Sequence, residues 1–301
     1  MDRKSFYGAS ALHSVIQRVA AIHDLSGFGG GSLSAVIPIL SAMGIQVCSL
    51  PTAILSTHTG GFTKFHFRDL TSDMRCIVDH WRQLALSFDG IYSGFLGSSE
   101  QIEIVSDFIR TFRKESTLVV VDPVLGDDGK LYDTMGACMV DGMRSLVASA
   151  DIITPNITEA ALLLGMSGPT TVSGTEEIKA WARALGDLGP KCVIITSVPE
   201  EHGRGTSVVA FDKGTGRFWK VACPYIPACY PGTGDIFASV ITGSLLQGDS
   251  LPLSLDRAVQ FVSMAIRATF GHNFPEREGV FLERVLPSLN APVSMSSFEL
   301  I

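Results

Sequence analysis

The 301-residue sequence has six cysteines but no C-x-x-C pair. Cys48, Cys76, Cys138, Cys192, Cys223 and Cys229 are scattered, which argues against a zinc cage or a disulfide framework and fits a reducing compartment. No stretch approaches the ~18 consecutive apolar residues of a membrane-spanning helix. Polar residues interrupt every apolar run near the start, so the h-region of a signal peptide is missing. Positive charge is also scarce. The 23 Lys and Arg stand against 30 Asp and Glu, and a formal net charge of -7 leaves no basic footprint for nucleic acid. These absences lead to the expectation of a cytoplasmic protein whose partner is a small-molecule substrate, with neither nucleic acid nor membrane involved.

Several common catalytic signatures are missing as well. Gly27-Phe28-Gly29-Gly30-Gly31-Ser32 has Ser32 where a dinucleotide fingerprint needs its third glycine. Gly129-Lys130 is followed by Leu131, and Gly126 stands at the wrong spacing, so there is no Walker A loop. Neither H-E-x-x-H nor G-x-S-x-G occurs among the residues. No repeat, low-complexity tract or linker divides the chain. The expected organisation is an N-terminal extension over 1–17, one domain over 18–290 and a frayed tail over 291–301.

What is present is alternation. Short β-rich runs at 19–22, 45–50, 90–92, 118–122, 151–154 and 192–196 are separated by helical patterns at 32–43, 72–87, 98–114, 134–147, 158–164 and 176–188. This order predicts a three-layer α/β/α sandwich with a mostly parallel central sheet. Runs at 207–211 and 217–221 flank Asp212-Lys213-Gly214-Thr215-Gly216 and predict an antiparallel edge hairpin. Helices are expected over 234–247, 253–270 and 279–289. Ser98, with Gln101 three positions on, predicts a capping box.

The strongest local signal is Pro231-Gly232-Thr233-Gly234-Asp235 ahead of an apolar run. Glycines permit a tight turn, and the first-turn amides of the following helix favour an anion while Asp235 could reach a substrate hydroxyl. The same pattern also reads as a glycine turn with an aspartate cap. Three further segments put polar residues just after strands, where open α/β sheets bind ligands. They are Val121-Asp122-Pro123 with Asp127 in the loop beyond, Thr154-Pro155-Asn156 with Glu159, and Thr196-Ser197. Asn156 and Glu159, at i and i+3 on a helix, offer hard oxygens suited to magnesium. Each segment by itself also reads as a cap or turn.

In this order the motifs, together with Ser56-Thr57-His58-Thr59-Gly60, resemble the ribokinase superfamily in its vitamin kinase branch, which holds pyridoxal kinases and hydroxymethylpyrimidine phosphate kinases. The resemblance spans about residues 19 to 289. It implies ATP over the carboxyl ends of the strands, with Asp235 deprotonating a primary alcohol and Gly232, Thr233 and Gly234 around the transferred phosphoryl group. It further implies Mg2+ at Asn156, Glu159 and Asp122, and nucleotide or monovalent-cation (K+) contacts at Asp122, Asp127, Thr154, Thr196 and Ser197. The aromatic substrate is expected near Asp24, Ser26, His58, Thr59 and Phe95. Where many pyridoxal kinases have serine, this chain has Asp24, which is more like the pyrimidine kinases and would prefer a donor on the ring. The expectation is a vitamin B6 kinase, with hydroxymethylpyrimidine as the alternative substrate and a non-catalytic binder or a sugar kinase as further alternatives. A homodimer is implied by the resemblance alone. Gly29-Gly30-Gly31 is expected to form a mobile pocket edge.

Overall fold

The computed structural model describes residues 16–132, 135–166, 172, 174–200, 205–291 and 297–301. Of the expected extension, 1–15 lies outside the described residues, as does position 134, where a helical pattern begins. The strands are β1 (Arg18–Ser26), β2 (Gln46–Leu55), β3 (Phe67–Asp69), β4 (Gly90–Ser93), β5 (Leu118–Val121), β6 (Gly126–Asp127), β7 (Lys130–Leu131), β8 (Ile152–Ile153), β9 (Cys192–Pro199), β10 (Thr206–Asp212), β11 (Arg217–Cys223) and β12 (Phe298–Leu300). The helices are α1 (Leu33–Ala42), α2 (Thr71–Gln83), α3 (Ser99–Phe112), α4 (Ala137–Val147), α5 (Ile157–Leu163), α6 (Thr175–Asp187), α7 (Thr233–Leu246), α8 (Leu251–Thr269) and α9 (Leu282–Val285).

Among the described residues, one ten-stranded sheet has the order β12-β11-β10-β9-β8-β5-β4-β1-β2-β3, and β6 and β7 pair separately. The pairings from β2 through β1, β4, β5 and β8 to β9 are parallel. Strands β10, β11, β12 and β3 are antiparallel to their neighbours. The inner strands read as unbroken apolar runs because both faces are covered. Successive side chains point to opposite faces, so Val19 and Ala21 enter one core with α1, α7 and α8, while Ala20 and Ile22 enter the other with α2 to α6. The expected three-layer sandwich therefore forms. No helix among the described residues is long and apolar enough to cross a membrane.

Three local expectations are corrected. The expected helix over 279–289 is instead the short α9 and a 3-10 turn at Leu286–Asn290, preceded by another 3-10 turn at Glu276–Glu278. Pro287 has no N–H to continue an α-helix, and Gly279 at φ 85° separates the first turn from α9. Residues 298–300 of the expected tail are not frayed but form β12, paired with Trp219, Lys220 and Val221. Ser297 anchors this end by donating from both its N–H and its hydroxyl to the buried Asp256.

The capping box at Ser98 is only half present. Ser98 Oγ accepts the Gln101 N–H at 3.2 Å, but the Gln101 side chain turns inward. It is fully buried: Oε1 accepts the Gly97 N–H, and Nε2 donates to Thr52 O, Asp69 Oδ2 and Thr71 Oγ1. Gln101 thus ties α3 and its preceding loop to β2 and the β3–α2 junction. Gln101→Ala should lower unfolding stability by about 1–3 kcal/mol, because the partners remain buried without a replacement. Urea denaturation of both proteins measures this, and a change below experimental error would contradict the account.

Candidate active site

The connections diverge between β1 and β4: β1 leads to β2 on one side, and β4 leads to β5 on the other. The carboxyl ends of strands at such a switch point form a crevice. Around it lie Asp24 in β1, Asp122 just after β5, Thr154 just after β8 and Thr196 in β9, with the N-terminus of α7 among them. An irregularity in the β1–β2 register falls between His23 and Leu25, so Asp24 sits where pairing is interrupted. Such interruptions re-aim a side chain.

The start of α7 depends on close contact between two backbones. Gly232 has φ 83°, and a Cβ there would lie 2.1 Å from the carbonyl oxygen of Gly30. Glycine is required both for the left-handed conformation and for this approach. The first intrahelical bond runs from the Ile236 N–H to the Gly232 carbonyl, and no side chain among the described residues caps the turn. The amides of Thr233, Gly234 and Asp235 precede that bond, an arrangement that favours a negatively charged ligand. Thr233 directs its hydroxyl to the Tyr230 carbonyl at 3.1 Å.

The Gly29-Gly30-Gly31 segment is packed against this turn rather than forming a loose edge. Ser32 N–H donates to Asp235 Oδ2 at 2.8 Å, and the Ser32 hydroxyl donates to Asp24 Oδ1 at 2.5 Å. Asp24 Oδ2 accepts the Ser26 hydroxyl at 3.0 Å. Each oxygen of Asp24 therefore accepts one serine hydroxyl, and a ring donor would meet the lone pairs that remain. Sequence patterning missed the role of Ser32, although it is the residue that breaks the dinucleotide motif.

Asp235 has a side chain 18% exposed, and its pKa is raised to about 7, chiefly by burial with a contribution from Asp24 and against the Ser32 N–H. Asp122 is buried, accepts the Thr154 hydroxyl at 2.9 Å, and is raised by burial and then by Asp235. Glu159 is raised well above the usual carboxylate range by burial and then by Asp122. The three acids thus crowd one region of low dielectric.

Asn156 and Glu159 do not share a helical face. Asn156 caps α5: its Oδ1 accepts the Glu159 N–H and its own N–H donates to Glu159 Oε2, both at 2.9 Å. The i, i+3 spacing is therefore a capping box, because Asn156 lies outside the helix. Glu159 Oε1 also accepts the Leu125 N–H, and Asn156 Nδ2 donates to Gly126 O, which binds the loop after β5 to α5. Asp127 is raised by burial, and Tyr132, absent from the sequence reading, is raised by burial and then by Glu159, Asp127, Asp122 and Asp235. Thr196 lies beside Asn156 through an isolated parallel bridge, and Ser197 follows at φ 58°.

Beside Gly29, His58 Nδ1 accepts the Gly60 N–H at 3.1 Å, so Nε2–H donates to the Arg277 carbonyl at 2.7 Å. Both ring nitrogens are occupied, leaving the ring itself as the surface it can offer. Its ring packs on Phe62, centroids 5.0 Å apart, and Phe62 also meets Phe28 and the Arg277 guanidinium. Nothing in the sequence pattern pointed to Phe62 or Arg277, which come together only through folding. Thr59 is exposed, and Phe95 is half-buried with its ring against the α2–α6 core.

With this geometry in place, the family described as phosphomethylpyrimidine kinase matches residues 26–277. The chain belongs to this family. It is 55% identical to a Bacteroides thetaiotaomicron protein provisionally assigned as a phosphomethylpyrimidine kinase and crystallised with pyridoxal, over 95% of this chain and 100% of that one, with a TM-score of 0.91. It is 34% identical to pyridoxal kinase from Lactobacillus plantarum, over 92% of this chain and 97% of that one, with a TM-score of 0.83. A pyridoxine/pyridoxal/pyridoxamine kinase of Bordetella avium is 28% identical over 83% of this chain and 85% of its own length. The expected ribokinase-like fold of this phosphomethylpyrimidine kinase family member is thereby supported by relatives as well as by its topology.

The raised carboxyl of Asp235 has a consequence for stability. Its folded pKa, about 7, exceeds the ordinary carboxylate value of 3.8, so folding takes up a proton between them. The associated stability is fully present below the lower value and is lost as pH rises through the higher one. Asp235→Asn keeps an acceptor for Ser32 but carries no charge. Its Tm relative to the native protein should be higher at pH 8, with the difference shrinking towards pH 4; thermal melts showing a pH-independent difference would contradict this.

Proposed function

We propose that the protein transfers the γ-phosphoryl group of ATP to the 5'-hydroxymethyl group of pyridoxal, pyridoxamine or pyridoxine. The observation that carries this reading is Asp235, a carboxylate with its pKa near neutrality, at the uncapped and glycine-lined start of α7. A base titrating near the working pH can accept a hydroxyl proton and later release it. The substrate oxygen forms a bond to the γ-phosphorus, the bond to the ADP oxygen breaks, and the hydroxyl proton passes to Asp235. Amides of Thr233, Gly234 and Asp235 then face the charge on the transferred group.

The buried acids Asp122 and Glu159, with Asn156 beside them, fit a hard divalent cation, since each carboxylate is pushed towards its neutral form without one. Mg2+ there would neutralise nucleotide phosphate charge. Because Glu159 already accepts two backbone N–H groups, its remaining lone pairs suit contact through water. The vitamin B6 ring is supported by the pyridoxal bound to the 55% identical Bacteroides protein and by the name of the Lactobacillus enzyme. Asp24 and the family description favour a second reading, hydroxymethylpyrimidine as the acceptor.

Purified protein with ATP, Mg2+ and each of pyridoxal, pyridoxamine, pyridoxine and hydroxymethylpyrimidine distinguishes the two readings. A higher kcat/KM for a B6 form is expected, and turnover of the pyrimidine alone would establish the second. With the preferred acceptor, turnover should rise with pH through about 7 as Asp235 loses its proton. Asp235→Asn should lower kcat by about 10²–10⁴-fold while nucleotide binding persists. Near-native turnover of that variant would remove Asp235 as the base.

A further inference from the structure

Directly behind Asp235 lies a histidine that the proposed chemistry does not use. His23 is fully buried within β1, and neither ring nitrogen has a hydrogen-bond partner among the described residues. A buried polar group without a partner is costly and calls for a reason. The ring is held in place: it packs edge-on against Tyr92, centroids 4.3 Å apart, and Gly94 leaves room for it. A Cβ on Gly94 would stand 2.3 Å from His23 Nδ1. That nitrogen is 3.8 Å from Asp235 Oδ1, the carboxylate oxygen not bound by Ser32.

At 3.8 Å the two atoms are too far apart for a hydrogen bond, the spacing expected where a ring-nitrogen lone pair faces an ionised carboxylate. A protonated Nδ1 would hydrogen-bond an ionised carboxylate at about 2.8 Å, whereas a nitrogen lone pair facing a carboxylate oxygen has nothing to share. Burial pushes the His23 pKa down to about 3, so the ring is neutral in the working range. The groups around the pair are Asp24 next to it in β1, Tyr92 in β4, Asp122 after β5, and Ser32 at the start of α1. None of these supplies a cation.

We propose that His23 is a positioning residue whose neutral Nδ1 accepts a hydrogen bond from Asp235 once Asp235 has taken the proton of the substrate hydroxyl. The proposal rests on Asp235 acting as the base. Before transfer the two acceptors stand apart; afterwards the carboxylic acid O–H on Oδ1 becomes a donor and closes the gap by about 1 Å to Nδ1. The proton remains on Asp235 until product leaves, and His23 at no stage becomes charged. An interaction formed only as the base is protonated acts on kcat and not on substrate affinity.

His23→Phe keeps a ring of similar outline without the acceptor, and His23→Asn restores an acceptor near the Nδ1 position. With the preferred acceptor substrate, His23→Phe should lower kcat about tenfold at unchanged KM, and His23→Asn should recover much of the loss. Gly94→Ala gives an independent variant, since it displaces the imidazole without removing it; the same selective loss in kcat is expected. Equal kcat in all four proteins, or a loss in His23→Phe that Asn does not relieve, would overturn the role of His23. If His23→Phe does not fold, the Gly94→Ala and His23→Asn comparison decides. Asp235→Asn is measured alongside: if it turns over normally, the base assignment has failed, whereas a loss there with no effect at His23 rejects this inference alone.

Discussion

The contact on which the site depends is backbone against backbone, where the Gly30 carbonyl meets the Gly232 turn. The contact leaves no room for a Cβ at Gly232, so glycine there lets the loop after β1 and the start of α7 approach closely. Ser32, at the end of that loop, then reaches both Asp24 and Asp235. One residue thereby joins the first strand to the seventh helix, elements some 200 positions apart in the chain. The position of the candidate base is set by this junction more than by the helix that carries it.

Around the junction the protein accumulates buried acids that burial disfavours in their charged forms. Asp24, Asp122, Asp235 and Glu159 all have raised pKa values, and burial is the leading cause for each. Such an arrangement opposes folding at neutral pH and is the kind of local cost expected at a functional site. The two large apolar cores on either side of the sheet hold the strand ends in place against it. Among the described residues, hydroxyls and backbone amides are the groups that hydrogen-bond these acids.

The aromatic group around His58 is built on a different principle. His58, Phe28 and Phe62 meet through their rings, and the Arg277 carbonyl and guanidinium tie that group to the segment before α9. His58 has spent both nitrogens on backbone groups, so its contribution is shape and an aromatic surface.

Alternation of short apolar runs with helical patterns was enough to determine the sandwich, because a strand buried on both faces must be apolar throughout. The order of Asp122, Asn156, Glu159 and Gly232-Thr233-Gly234-Asp235 likewise determined which strand ends carry polar groups. Local pattern could not say whether Asn156 stood on α5 or capped it, since spacing is the same in both cases, nor that residues 298–300 would find β11. His23, Ser32, Tyr92, Phe62 and Arg277 were illegible for the same physical reason: each acts through a partner remote in sequence, and only packing brings it there. The motif therefore identified the candidate base, while the tertiary structure decided what lies against it: the Ser32 amide on one carboxylate oxygen and, facing the other, a buried histidine with no hydrogen-bond partner among the described residues.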